Sequence, residues 1–208
     1  MGRIKSGANG NISGLVGNLV FVQGKGQTIV RTRQVRSKKS WSEKQNQHRQ
    51  RFSEVAAFCQ PFKRTVIQPI WNKIDPNRIG YNLFVKANMA AFALNGELAD
   101  LSLLHFADGH LPTLSGCRVA RKAGLEFQIE VSWNNDPLLG ERLMADELWM
   151  MAATEAGIKG PFETGIPRKA GSATVVLPAE YGAATAVWLF WASADKESYS
   201  ADKYCPLV

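Results

Sequence analysis

Between residues 7 and 39 the chain has no acidic side chain: GANGNISGLVGNLVFVQGKGQTIVRTRQVRSKK holds six glycines, a short apolar run and a dense basic tail. Without acids to neutralise it, such a stretch suits something anionic or a partner surface rather than a balanced solvated face. Cysteine is scarce. Cys59, Cys117 and Cys205 are odd in number and far apart, which argues against a disulfide framework and predicts a reducing, cytoplasmic setting, or a particle assembled there. No apolar run has membrane-spanning length, and MGRIKSGANGNISG lacks the continuous apolar segment of a secretory signal, so neither a membrane nor a targeting route is expected. Gly2 and Ser6 match only a short myristoylation pattern that arises by chance.

Motifs for catalysis and cofactors are missing as well. A phosphate-binding Walker loop would need glycine where Leu19 stands, five residues before Gly24, and Ser or Thr where Gly26 follows Lys25. A dinucleotide fingerprint would need a third glycine at Ile29. The only close histidine pair, His105 and His110, has Asp108 between them but no cysteine or third histidine nearby, too few ligands for zinc. Cys59 sits in an apolar helical stripe, the setting of an inert thiol, and Cys117 and Cys205 fall in expected strands without a local motif. The acid pairs Glu126 with Glu130 and Asp146 with Glu147 read as ordinary outward polar residues. The expectation is therefore a non-enzymatic protein with no cofactor, no metal and no small-molecule substrate.

What is present is a charge asymmetry on an ordinary globular composition of 45% hydrophobic and 21% charged residues. Residues 1–64 hold thirteen Lys or Arg against Glu43 and Glu54, so the remaining 144 residues carry a net −4 within a total of +7. Three regions are expected: a basic arm with a β-hairpin over 1–39, a helical segment over 40–98, and a sandwich over 99–208. In the arm, LVGNLVFV at 15–22 reads as one strand, GKG as a turn and QTIVRTRQV as the second strand, with Ile29, Arg31 and Arg33 on one side. The glycines at 7, 10, 14 and 17 predict that the first dozen residues stay mobile until another surface orders them.

Ser40 and Glu43 have capping-box spacing and open a helix whose apolar stripe is Phe52, Val55, Ala56 and Cys59. Pro61 ends it. Ile67, Ile70, Trp71 and Ile74 form a second stripe, and 82–94 a third short helix. Beyond residue 99 strands are expected at 101–106, 117–121, 125–133, 146–154, 172–178, 185–193 and 200–206. The clearest is LEFQIEVSW, with alternate Leu125, Phe127, Ile129, Val131 and Trp133. Trp188 and Trp191 fall on opposite faces of their strand, which predicts one of them near the surface. The fold class is α+β, with an immunoglobulin- or fibronectin-like β-sandwich at the C-terminal end.

The opening MGRIKSG…VGNLVF…GKG…VRTR, then SEKQNQHRQRF, FADGHLP and SATVVLPAEYGAATAVWLFWASADKESYS, together resemble an uncharacterised bacterial family of domains of unknown function, number 6266, widespread in Bacteroidetes-type genomes. Gly17, Gly24, Arg31, Gln45, Arg49, Phe52, Leu111, Pro112, Trp133 and Asp195 stand at the family's motif positions, and Ser40 replaces a usual proline. The resemblance implies the domain layout and no activity. Glycine-and-arginine leaders also occur in phage-like particle proteins, an analogy only. Two functions fit the sequence. In the first, the arm contacts neighbouring subunits of a homo-oligomer, particle or fibre through Val16, Leu19, Phe21 and Ile29. In the alternative, Arg31, Arg33, Arg36, Lys38, Lys39, Arg49 and Arg51 neutralise nucleic-acid phosphates without sequence-specific readout.

Overall fold

The computed structural model describes residues 3–4, 12–23, 27–34, 41–122, 125–135, 140–181 and 183–207. They are mixed α and β and fall into two units, Met1–Ser42 and Glu43–Val208.

The first unit is an antiparallel sheet in the order β1 (Arg3–Ile4), β2 (Ile12–Val16), β3 (Leu19–Gln23) and β4 (Thr28–Thr32). The stretch expected as one strand over 15–22 is two. Gly17 and Asn18 form the loop between Val16 and Leu19, which pair, and Gly17 takes φ +58°, the positive first position of a II′ hairpin turn. A glycine meets that requirement without a Cβ clash. Three residues of the dozen expected to stay mobile are tied down locally, because Arg3 pairs with Ser13 and Ile4 with Ile12. Gly7, Gly10, Gly24 and Ser40, with the turn and cap roles assigned to them, lie outside the described residues.

The second unit begins with α1 (Glu43–Cys59), whose first-turn Glu43 complements the positive end of the helix dipole. Its inward stripe is rotated from the expected one. Val55 and Cys59 are buried and Phe58 packs beside them, while Phe52 points outward. Pro61 stops the helix and starts a tight turn, followed by a π-turn at Ile67–Trp71, α2 (Asn72–Ile74) and α3 (Gly80–Asn88). Gly80 is required there, since a Cβ would run into the Asn72 backbone and side chain.

The strands that follow form two antiparallel sheets. One has the order β5 (Ser115–Lys122), β6 (Leu125–Asn134), β9 (Ser172–Val176). The other has the order β11 (Lys203–Pro206), β10 (Ala184–Ala192), β7 (Glu147–Thr154), β8 (Gly157–Pro167), with the short α4 (Glu141–Met144) leading into β7. Residues 101–106, expected as a strand, instead start with a 3-10 turn. The Asp100 carboxylate accepts from the Ser102 backbone N–H at 2.8 Å and from its hydroxyl at 2.6 Å, and this local capping outcompetes strand pairing. The strand that sequence reading omitted is β8, whose Gly157, Gly160, Pro161 and Gly165 read as loop.

Two apolar clusters share the four-stranded sheet. Leu148, Met150, Val187, Leu189 and Trp191 point toward Ile129, Val131 and Val175 of the other sheet. Trp149, Met151, Trp188 and Phe190 point the opposite way, toward Val55, Phe62, Ile70, Trp71 and Phe84 of the helical segment. The expectation that Trp188 or Trp191 nears the surface is therefore wrong: both are fully buried, one on each side. A strand covered on both faces needs apolar residues at every position, which is why β7 and β10 read LWMMAA and VWLFWA rather than alternating. Aromatic edges organise the helical side, with Phe106 against Trp188 at 4.8 Å and Trp71 donating its Nε1–H to the Phe106 carbonyl at 2.8 Å. Asn88 is buried among them yet satisfied, donating to the Phe84 and His105 carbonyls and accepting from the His105 N–H.

Candidate functional site

The N-terminal sheet contains no buried residue among those described. Directly opposed residues in an antiparallel pair share a face, so the register sorts its side chains. Val16 opposes Leu19, Gly14 opposes Phe21, and Phe21 opposes Val30. This face, completed by Thr28 and Thr32, carries no charge over β2 to β4. The glycine at 14 leaves room over which the Phe21 ring can lie. On the other face Leu15 opposes Val20, Val20 opposes Arg31, and Val22 opposes Ile29. Of the four anchor positions read from the sequence, Val16, Leu19 and Phe21 thus lie together, and Ile29 lies on the arginine side. Val30, which sequence reading passed over, joins the first three. Val16, Ile29 and Val30 are 50–51% exposed and Leu19 42%.

Arg31 and Arg33 are exposed, two positions apart on the same strand side, and neither forms an ion pair within the described residues. The Arg33 backbone N–H bonds the Asn18 carbonyl at 2.7 Å, extending the hairpin by one rung. Arg36, Lys38 and Lys39 lie outside the described residues. On α1, Arg49 is exposed but Arg51 turns inward, donating from Nη2 to the Met89 carbonyl at 2.5 Å. That bond ties α1 to the residue that follows α3 and engages part of the Arg51 guanidinium within its own unit.

The body holds three polar constellations. His105 Nδ1 is 3.0 Å from Asp202 Oδ1, and the same carboxylate accepts from the Phe106 N–H at 2.5 Å. The hydrogen bond to Asp202 raises the imidazole pKa above its usual value, with burial opposing. His105 is thus engaged 97 residues away rather than with His110. Among the described residues no three acid, cysteine or histidine side chains cluster as a metal would need.

The second constellation corrects the reading of Asp146 as an outward acid. Asp146 and Arg168 are both buried and meet at 3.0 Å, and the β7–β8 hairpin brings them together by pairing Glu147 with Pro167. Arg168 also donates to the Pro112 carbonyl at 3.1 Å and stacks 4.5 Å over the Trp191 ring, while Trp133 Nε1 donates to the Arg168 carbonyl at 2.8 Å. Burial raises the carboxyl pKa against the opposing pull of Arg168, and burial lowers that of the guanidinium against Asp146. Pro112 and Trp133 both converge on this one arginine. With its charge already matched and its carbonyl already bonded, the cluster acts as a clamp between the sheets. Of the other acids, Glu130 lies near Lys122 at 3.7 Å and Glu147 accepts from the Gly165 N–H.

The third constellation is a thiol pair. Cys117 and Cys205, far apart in sequence and free, lie with Sγ atoms 3.9 Å apart. Cys59 is separate and wholly buried, and burial pushes its pKa up to about 12. No helix among the described residues is long and apolar enough to cross a membrane.

Comparison with known families finds a match to the model of a family of unknown function (DUF6266) over residues 11–205. No curated protein and no solved structure matches.

Proposed function

The chain belongs to that family of unknown function over nearly its whole length, and from this premise we propose that it is a non-enzymatic assembly protein whose N-terminal sheet docks on a neighbouring subunit. The observation that carries the proposal is a sheet with no buried residue among those described. A sheet gains stability by burying one face, and this one leaves Val16, Leu19 and Val30 in water around Phe21. Burying those exposed groups against a partner is worth roughly 25 cal/mol per Å² of apolar surface removed from water. The uncharged face is the docking face, with Val16, Leu19, Phe21 and Val30 as its anchors. Ile29 flanks Arg31 on the reverse side.

We read the body as a β-sandwich of the immunoglobulin and fibronectin kind. The strand orders 5-6-9 and 11-10-7-8, with a shared apolar cluster between the sheets, support that reading, and the helices cover the outer face of the larger sheet. Its few, scattered cysteines support a site of action in the cytoplasm or in a particle assembled there. Its body carries the assembly and its leader makes the joint.

The test is the mass of the native object, by light scattering during size-exclusion chromatography, for the full chain and for a chain lacking residues 1–39. The full chain should run as a multimer that nuclease does not change, and the truncated chain as a folded monomer. Normal assembly of the truncated chain would overturn the proposal. A second reading, nucleic-acid binding, is favoured by the exposed Arg31 and Arg33. If four to six basic side chains met phosphates, affinity would fall with salt at a log–log slope of about −4 to −5, and charge reversal at Arg31 and Arg33 would weaken it. Salt-insensitive retention would reject that alternative.

A further inference from the structure

Cys117 lies on β5 and Cys205 on β11, the edge strands of two different sheets, 88 residues apart. Their juxtaposition depends on a local irregularity. The ladder between β5 and β6 pairs Ser115 with Asn134 and resumes only at Arg118 with Ser132, so Gly116 and Cys117 occupy a bulge. Gly116 takes φ +57°, a conformation a side chain at that position would oppose, and its Cβ would collide with Asn134. Bulges re-aim side chains, and this one delivers the Cys117 sulfur to Cys205. Cys117 is half-buried and lines an open surface recess with Arg118, Trp133 and Asn134, so a small oxidant can reach it.

We propose that Cys117 and Cys205 are a redox-active pair that closes to a reversible intrachain disulfide on reaction with a hydroperoxide. The contact with Cys117, and Lys203 beside it, pull the Cys205 pKa below its usual value against the opposing effect of burial, which favours Cys205 as the thiolate of the pair. Cys117 shifts upward in consequence, keeping the shared proton. The hydroperoxide enters at the recess lined by Cys117, and the less exposed Cys205 thiolate, its sulfur 3.9 Å from that of Cys117, attacks the O–O bond: an S–O bond forms, the O–O bond breaks, and the released oxygen leaves as water or alcohol after taking a proton. The second sulfur then attacks the sulfenic sulfur. The S–S bond forms, the S–O bond breaks and water leaves, so the two thiols supply the two electrons that reduce one peroxide. Closure brings the sulfurs from 3.9 Å to a bond length of about 2 Å, a change on the scale of side-chain rotation and a small strand shift. Cys59, inside the helical cluster, takes no part.

The experiment treats the full-length protein with a modest excess of hydrogen peroxide, then alkylates in denaturant and maps the peptides. The proposal expects alkylatable thiols to fall from three to one, a linked Cys117–Cys205 peptide, and full reversal by dithiothreitol. Closing so long a loop should raise the melting temperature by about 5–10 °C. Cys117→Ser and Cys205→Ser should each abolish both changes, and Cys59→Ser should leave them. Peptide mapping of the natural sequence identifies the linked residues even if a variant fails to fold. Single-thiol oxidation without the link, or links only between chains, would overturn the proposal.

Discussion

The leader sheet and the body solve the same problem in opposite ways. β10 sits between two apolar layers and buries every residue from Ala186 to Ala192, whereas β4, of equally strand-forming composition, buries none. The difference is in what covers them. The body supplies a second sheet and a helical layer from its own chain, whereas the described residues of β2 to β4 are all exposed or only partly buried. Hydrophobic content alone does not decide whether a strand is stable. The body is thus expected to fold by itself and the leader to gain its stability from another molecule.

The largest effect expected is on the body. Trp188→Ala removes a side chain packed between Phe106 and Tyr204 and should cost about 3–5 kcal/mol, a fall of roughly 10 °C in Tm or more, read by thermal denaturation. Asp146→Ala comes next. It strands the Arg168 charge in a buried site and should cost about 3 kcal/mol, measured by urea unfolding, with Arg168→Met in the same background recovering much of the loss. A body that tolerated both changes would look no more cored than the leader, and the contrast would fail.

A smaller effect depends on pH. The folded His105 pKa lies above its unfolded value near 6.5, so the protonated imidazole stabilises the fold fully below that value and the contribution is lost as pH rises through the folded pKa. Because the ring is half exposed, solvent screening holds this to under about 1 kcal/mol. Urea midpoints measured from about pH 6 to about pH 8.5 should fall slightly, and His105→Gln should flatten the trend. The smallest effect on body stability belongs to the leader. Val30→Asp should change the unfolding free energy of the body by less than about 0.5 kcal/mol, yet reduce the mass of the assembled object.

How much of this was legible in the residues differs between elements. The alternation of Ile129, Val131 and Trp133 announced β6, because one face of that strand is buried and the other is not. β10 was legible as a strand, but not its burial on both sides, which depends on helices more than a hundred residues away. β8 was hidden by its glycines and Pro161, and with it the hairpin that joins Asp146 to Arg168. Cys117 and Cys205 gave no local signal, since only the packing of two sheet edges brings them together. In the leader, composition suggested Val16, Leu19, Phe21 and Ile29 as anchors and Arg31 as an anion contact. The split into two faces was not legible until Gly17 and Asn18 were placed in a turn, which fixes which residues oppose one another.

Amide hydrogen exchange across residues 12–32, followed as a function of protein concentration, tests most directly whether the leader sheet is stabilised by another subunit. Protection there should rise with concentration, while that of β7 and β10 stays constant. Strong leader protection unchanged down to concentrations at which the protein is monomeric would contradict the account.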